Sequence, residues 1–251
     1  MKEKEIKEFV KDHYSKIAKK EESYCSCCSG GDLTIEQAKS AGYSLEELKS
    51  IPSDAVFGLG CGNPTALAEI KEGEVILDLG SGGGIDVFLA ANKVGPKGKV
   101  IGVDMTHEMV QTATANAQNG KYENVEFKLG EIEKLPLEDN SIDVIISNCV
   151  INLTTDKLIA YKEAYRVLKN GGRILVADLV TNGNIPEELI KSFQAWSDCI
   201  GGALEKQKYL DIIKKAGFKN TEMLEQHYFT EPNLDERLIG KITSIQIKAV
   251  K

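Results

Sequence analysis

The sequence predicts an α/β protein with a doubly wound, mostly parallel sheet and helices on both of its faces. Two patterns between residues 74 and 180 predict this class. Short apolar runs alternate with longer segments of helical periodicity, and the first apolar run ends in a glycine-rich turn. Such runs are typical of strands buried on both faces, and helical connections of this length return successive strands in parallel.

The expected elements follow from this alternation and from local capping patterns. Strands are predicted at residues 75–79, 100–104, 125–129, 142–147 and 173–178, with helices at 85–93, 106–119 and 158–168. Before this core, helices are predicted at 1–20, 34–41 and 64–70, and a short one follows the capping box of Ser44 and Glu47. After it, residues 186–196 and 206–216 have helical patterns, and the alternation at 245–249 predicts an exposed strand.

Composition restricts the classes of function. The chain has 251 residues, with 31 Lys+Arg against 38 Asp+Glu and a net charge of −7. An acidic balance argues against nucleic-acid binding, which needs clustered Lys and Arg. The apolar runs are far shorter than the ~20 residues of a membrane span, and the charged N-terminus lacks the apolar segment of a signal peptide. We therefore expect a cytoplasmic protein, with one large domain or one domain and an appendage, that binds neither nucleic acid nor membrane.

The glycine-rich turn after the first strand is the first candidate site. Gly80, Gly82 and Gly84 follow Asp78, and Asp104 ends the second strand about twenty residues later. Glycines here let a ligand approach the backbone, and an acid at the second strand end can bind both hydroxyls of a ribose. Ile85 breaks the full dinucleotide fingerprint, and the phosphate-loop motif is absent. The alternative is an ordinary turn, but loop, spacing and acid together favour nucleoside binding.

Four segments in the right order resemble the class I S-adenosylmethionine-dependent methyltransferases, which have a Rossmann-like sheet. These segments are ILDLGSGGG, VIGVDMTHEM, LPLEDNSIDVIISN and VLKNGGRILVAD, although Asn170 stands where Pro is usual. The resemblance implies S-adenosylmethionine as cofactor. It also implies cofactor-binding roles for the loop and strand-end residues Asp78, Gly80, Ser81, Gly82, Asp104, Met105, Glu131, Ile132 and Asn148. Among these, the acid Asp104 would bind the ribose and Glu131 the adenine amine, although Glu131 could instead be a solvated loop acid.

Six cysteines are unexpected in a reducing compartment, where structural disulfides are rare. Cys149 or Cys199 taken alone would be a buried small apolar residue. Cys61 is harder to explain by burial, because glycines flank it. Three isolated thiols on three loops that could face one edge of the sheet suggest a single site for a soft ion.

The segments FGLGCGNP, SNCVINL and CIGGAL are similar to the three cysteine segments of the arsenite methyltransferases, and GYSLEELKSIP and DHYSKIA resemble their bacterial members. The resemblance implies that Cys61, Cys149 and Cys199 bind trivalent arsenic and carry the catalysis. Arsenite, as a thiol conjugate, would then be the substrate, and thioredoxin or glutathione the reductant. We expect turnover to form a disulfide between Cys61 and one of the other two.

This resemblance also implies that three successive segments of the chain have different functions. Residues 1–73 would form a helical segment with a cysteine-rich loop that covers the site, 74–180 the S-adenosylmethionine-binding domain, and 181–251 a small α+β substrate-binding part. Cys25, Cys27 and Cys28 in the first segment could capture arsenic or relay it, or could be an incidental thiol-rich loop. Two alternatives to arsenite methylation stay open at this stage: methylation of an organic acceptor such as a quinone, and thiol-based metalloid storage without catalysis.

Overall fold

The computed structural model describes residues 2–20, 31–183, 185–190, 192–197, 199–229 and 235–251. Over these residues the chain forms an eight-stranded mixed sheet in the order β3-β2-β1-β4-β5-β8-β7, with β6 beside β5. The strands are β1 Val75–Leu79, β2 Lys99–Asp104, β3 Val125–Leu129, β4 Ile142–Asn148, β5 Leu168–Thr181, β6 Leu204–Glu205, β7 Lys219–Tyr228 and β8 Ile242–Val250. The parallel core and its five predicted strands are confirmed, and β5 extends beyond its predicted bounds at both ends.

The helices lie where the capping patterns predict, with three differences. They are α1 Glu3–Ala18, α2 Gly31–Ser40, α3 Leu45–Lys49, α4 Pro64–Leu67, α5 Ile85–Val94, α6 His107–Gly120, α7 Lys157–Val167, α8 Glu187–Ile190, α9 Phe193–Ser197 and α10 Lys206–Lys215. The predicted capping box forms, because Ser44 Oγ accepts from the Glu47 amide at 3.2 Å and the Glu47 carboxylate accepts from the Ser44 amide at 2.9 Å. The differences are that α2 begins at Gly31, so that Thr34 lies inside the helix and is not its N-cap, that α4 is shorter than predicted, and that α8 and α9 replace one helix over 186–196.

The C-terminal strand differs from its prediction. We expected residues 245–249 to form an exposed strand, but β8 lies inside the sheet between β5 and β7 and is almost entirely buried. Its alternating polar side chains find partners there: the Gln246 amide donates to Glu225 at 2.7 Å, and the Lys248 ammonium donates to Glu69 at 2.8 Å. We did not predict β7, because its sequence is too polar to be recognised as a strand, and β7 is the strand that covers this edge of β8.

The two faces of the sheet are covered by different helices. Leu77 on β1 packs with α7 and α10, whereas its neighbour Ile76 packs with α5. Full burial of such side chains contributes roughly 1.5–3 kcal/mol each. Strand order reverses between β1 and β4, and ligands of doubly wound sheets bind at the carboxyl ends of the strands at this point. No helix in the described part of the chain is both long and apolar enough to cross a bilayer.

Candidate active site

A pocket opens at the carboxyl ends of β1, β2 and β4. The glycine-rich loop after β1 and the residues after β2 line one end, and cysteines from three chain segments line the other. Of the predicted site residues, the structure brings to this pocket Cys61, Asp78, Gly80, Ser81, Gly82, Asp104, Met105, Ile132, Asn148, Cys149 and Cys199. Cys25, Cys27 and Cys28 lie outside the described residues.

The glycine-rich loop has its backbone fixed and its pocket side open. The amides of Gly80 and Ser81 both donate to the Val103 carbonyl, at 2.7 and 3.1 Å, and the Gly82 amide donates to Asp104 at 3.0 Å. Gly82 has a φ of +50°, and a Cβ there would meet no atom within 4 Å. The buried Ser81 hydroxyl has no hydrogen-bond partner. The loop therefore offers space to a ligand beside Gly82.

The pocket is acidic. Asp104 accepts from the Thr106 amide at 2.8 Å as well as from Gly82, and burial raises its pKa. Burial, and then the charges of Asp86 and Asp104, raise the pKa of Asp78 well above its ordinary value. Burial also raises the pKa of Asp86 to about 6. A cationic ligand would relieve this repulsion, so the pocket favours a ligand that carries positive charge and hydroxyl donors.

The structure separates the two acids that follow β3. Glu131 points away from the pocket, with 54% of its side chain exposed, and pairs with Lys7 of α1 at 2.7 Å. Glu133 lines the pocket with 22% exposed and accepts from Thr154 at 2.8 Å and from Lys7 at 3.3 Å. The exposed position of Glu131 fits the alternative of a solvated loop acid, and Glu133, which the sequence analysis did not select, is the acid of this pair that lines the pocket.

The three isolated cysteines meet at the far end of the pocket. Cys61, Cys149 and Cys199 are all buried and share one apolar cluster with residues of β5 and β8. Cys61 and Cys149 are joined as a disulfide with a Cα–Cα distance of 6.1 Å, whereas Cys199 is a buried thiol outside this disulfide that donates to the Cys149 carbonyl at 2.9 Å. In this disulfide form, no three Cys, His, Asp or Glu side chains among the described residues are placed to hold a metal ion.

Two of these cysteines occupy left-handed backbone conformations. Cys149 has a φ of +58° and Cys199 a φ of +61°. Such conformations cost about 1–3 kcal/mol each and persist only where the surroundings fix them. Here the Cys149 amide donates to the Ala177 carbonyl at 2.8 Å, and the Cys199 amide to the Trp196 carbonyl at 3.1 Å. The strained conformation is therefore built in, which is typical of functional sites.

A close backbone contact brings the Cys199 loop to the turn that follows Cys149. A Cβ on Gly202 would lie 1.8 Å from the Asn152 carbonyl oxygen and 2.9 Å from the Trp196 ring. Only glycine allows this approach. Gly202 thus sets the spacing between the two segments that carry Cys149 and Cys199.

Asn148 lines the pocket, but its side chain is engaged by the Cys61 loop. Its Oδ1 accepts from the Cys61 amide at 3.0 Å, and its Nδ2 donates to the Gly62 carbonyl at 2.7 Å. On the other side of the same peptide segment, Ser244 of β8 donates to the Cys61 carbonyl at 2.7 Å. The Asn148 carboxamide therefore fixes the backbone of the Cys61 loop by hydrogen bonds, and Asn148 also lines the pocket in which the cofactor is predicted to bind.

A buried polar network lies behind Cys199, and sequence reasoning missed it. The Lys157 ammonium donates to the carbonyls of Asn152 and Thr154 at 3.4 and 3.2 Å. Burial lowers the pKa of Lys157 to about 8, against opposing contributions from Asp178 and Cys199. Burial raises the pKa of Asp178 to about 7, although Tyr209 donates to it at 2.7 Å. The network supports the turn after Cys149 and places a cation near Cys199.

Comparisons with known proteins agree with this geometry. A family model for a methyltransferase domain matches residues 70–217. The chain is 39% identical over 238 residues to the arsenite methyltransferase of Halobacterium salinarum, which covers 90% of this chain and 61% of that protein. It is 33% identical over 242 residues to the arsenite methyltransferase of Aquipseudomonas alcaligenes, covering 92% and 68%.

A solved structure is similar as well. The arsenic (III) S-adenosylmethionine methyltransferase from Chlamydomonas reinhardtii aligns with a TM-score of 0.69 and 34% identity, over 87% of this chain and 73% of that one. The fold and the glycine-rich site define a class I methyltransferase. Within that class, the chain belongs to the arsenite methyltransferase family. It spans about two thirds of the length of the two curated relatives named above.

Proposed function

We propose that this protein transfers a methyl group from S-adenosylmethionine to trivalent arsenic, supplied as arsenite or its thiol conjugate, with Cys61, Cys149 and Cys199 as the arsenic ligands. One observation carries the proposal. Cysteines from three separate segments meet at one end of a pocket whose other end holds the glycine-rich loop and Asp104. The relatives named above are arsenite methyltransferases, which supports the same reaction.

The residues at the loop end suit S-adenosylmethionine. The open space beside Gly82 leaves room for a ligand at the backbone of the loop. Asp104 would accept from the ribose hydroxyls, with Met105 and Ile132 beside the adenine. Asp78 and Gly80 would face the methionine part, whose ammonium and sulfonium charges match the buried acids. We assign the adenine amine to Glu133, which lines the pocket, in place of the sequence-predicted Glu131.

The cysteine end suits trivalent arsenic. Thiolates select soft, thiophilic ions, and trivalent arsenic bound by three thiolates keeps a lone pair that acts as the nucleophile. S-adenosylmethionine, when bound, supplies an electrophilic sulfonium methyl group. The arsenic itself then needs no general base, so the task of the protein is to hold acceptor and donor in line. The buried position of the three thiols excludes water that would compete for either partner.

The Cys61–Cys149 disulfide supports a redox role for two of the ligands. Methyl transfer formally raises arsenic to the pentavalent state, and return to the trivalent state needs two electrons. Two thiolates that join as a disulfide release two electrons, so the disulfide form is the form expected after that step. A dithiol or glutathione-type reductant then restores the thiols through thiol–disulfide exchange.

The test is methyl transfer by the reduced protein from labelled S-adenosylmethionine, with arsenite or a demethylated quinone as acceptor. The proposal predicts labelled methylarsenicals from arsenite and no labelled quinone. Cys149→Ser and Cys199→Ser should each abolish the arsenite product. Label in the quinone, or full arsenite methylation by both cysteine variants, would overturn the assignment. Binding of arsenite without any transfer would instead indicate a storage protein.

A further inference from the structure

Tyr43 lies behind the pocket wall, between α2 and α3, and does not line the pocket. Its side chain is buried, with only 2% exposed. The Tyr43 hydroxyl donates to the Asp86 carboxylate, with both oxygens at 2.9 Å, and accepts from Asn148 Nδ2 at 2.9 Å. The Asn148 side chain thus links this hydroxyl to the Cys61 backbone by two hydrogen bonds, because its Oδ1 accepts from the Cys61 amide.

The direction of these hydrogen bonds fixes the Asn148 carboxamide. The single hydroxyl proton of Tyr43 is committed to Asp86, so its oxygen can only accept. Burial, and then the charge of Asp86, raise the pKa of Tyr43 well above its ordinary value, which keeps that proton in place. Asn148 must therefore turn Nδ2 towards Tyr43, and the Gly62 carbonyl, which also accepts from Nδ2 at 2.7 Å, favours the same orientation. This orientation directs Oδ1 to the Cys61 amide. A flipped amide would place two donors together at Cys61 and two acceptors together at Tyr43.

We propose that Tyr43 is a positioning residue for Cys61, which acts by fixing the Asn148 carboxamide that holds the Cys61 loop in its arsenic-binding position. The inference deepens the proposed function and rests on it. The positioning role of Tyr43 matters most in the reduced protein. Once the disulfide to Cys149 is open, the Cys61 backbone is still held by the hydrogen bonds to Asn148 and Ser244.

The test compares Tyr43→Phe with the matched control Tyr122→Phe, both fully reduced. Tyr122 packs against the apolar cluster that contains Tyr43. Its hydroxyl donates to the Ser50 carbonyl at 3.3 Å and makes no contact with Asn148 or Cys61 among the hydrogen bonds of the described residues. Three quantities are measured: the number of arsenic–sulfur bonds by X-ray absorption, arsenite affinity by fluorescence of the single tryptophan, Trp196, and S-adenosylhomocysteine affinity by calorimetry.

Tyr43→Phe should reduce the arsenic–sulfur bonds from three to two and weaken arsenite binding roughly tenfold, the effect of losing one buried hydrogen bond to a charged network. S-adenosylhomocysteine affinity should change less than about twofold. Tyr122→Phe should keep three sulfur ligands. The coordination number distinguishes positioning from general stability, because a merely destabilised protein that remains folded still presents three thiols.

A double-mutant cycle tests the route. If Tyr43 acts through Asn148, Tyr43→Phe should have no further effect on arsenite affinity in an Asn148→Ala background. Should Tyr43→Phe fail to fold, Asp86→Asn decides, because an amide at this position can donate to Tyr43 and frees its hydroxyl proton to turn towards Asn148.

Three sulfur ligands with unchanged arsenite affinity in the folded Tyr43→Phe protein, or in Asp86→Asn in its place, would overturn the inference. Additive effects in the cycle would also overturn it. Failure of the proposed function looks different, since the wild-type protein itself would then show fewer than three arsenic–sulfur bonds.

Discussion

Replacement of Gly202 by alanine tests the geometry of the thiol site without touching a thiol. The new Cβ would lie 1.8 Å from the Asn152 carbonyl oxygen, whereas real Cβ contacts stay beyond 3.0 Å. The Cys199 loop and the turn after Cys149 would therefore have to separate by at least the 1.2 Å between these values. A misplacement of about 1 Å can cost about 10²-fold in rate, so we expect methylation of arsenite to fall by about that factor or more.

The assay combines the arsenite methylation rate, thermal unfolding and S-adenosylhomocysteine affinity. Overpacking costs about 1–3 kcal/mol of stability, so the variant should unfold earlier but remain folded at the assay temperature. Gly73→Ala is the control, because Gly73 has a φ of +86° with no atom within 4 Å of an added Cβ. That control should lose stability and keep its rate. A folded Gly202→Ala protein with the wild-type rate would refute the proposed spacing of Cys149 and Cys199.

Three further predictions concern the acids and the thiols. Asp104→Asn should weaken S-adenosylhomocysteine binding roughly 10–100-fold by calorimetry, with arsenite binding unchanged, because hydrogen bonds to a buried carboxylate are lost; an unchanged cofactor affinity would contradict its role. Asp178 holds its proton up to about pH 7 in the folded protein but releases it near 3.8 when unfolded, so its contribution to stability falls as pH rises between these values. Denaturant unfolding should show a shallower fall in Asp178→Asn, and an identical slope would argue against burial of a protonated acid. Cys199→Ser should lose arsenite binding yet still form the Cys61–Cys149 disulfide on oxidation. A mass spectrum of the oxidised variant without that disulfide would contradict the pairing of Cys61 with Cys149.

The parallel core could be predicted because its signals are local. The apolar run of β1 and the alternating pattern of β3 match their predicted bounds, and the Ser44 capping box forms as expected. The position of β8 could not be predicted in the same way. Its burial depends on pairing with β7, a strand whose polar sequence gives no periodic signal of its own.

In the candidate site too, residues in local motifs could be predicted from the sequence, whereas residues placed by long-range contacts could not. Gly82 and Asp104 lie in a motif with fixed spacing, so sequence reasoning placed them at the pocket. The different positions of Glu131 and Glu133 appear only in the fold, where both acids pair with Lys7, more than 120 residues earlier in the chain, and Glu133 also accepts from Thr154. Tyr43 and Lys157 were missed for a similar reason, because their roles arise from contacts across the fold and leave no pattern in their own segments.

The central claim is that three thiols hold arsenic while a methyl group is transferred to it. A single-turnover experiment tests this most directly: fully reduced protein receives one equivalent of arsenite and labelled S-adenosylmethionine without any added reductant. The account predicts labelled methylarsenic in proportion to S-adenosylhomocysteine, together with a new Cys61–Cys149 disulfide in the protein. S-adenosylhomocysteine formed without methylarsenic, or methylarsenic(III) formed while all six cysteines stay free, would contradict it.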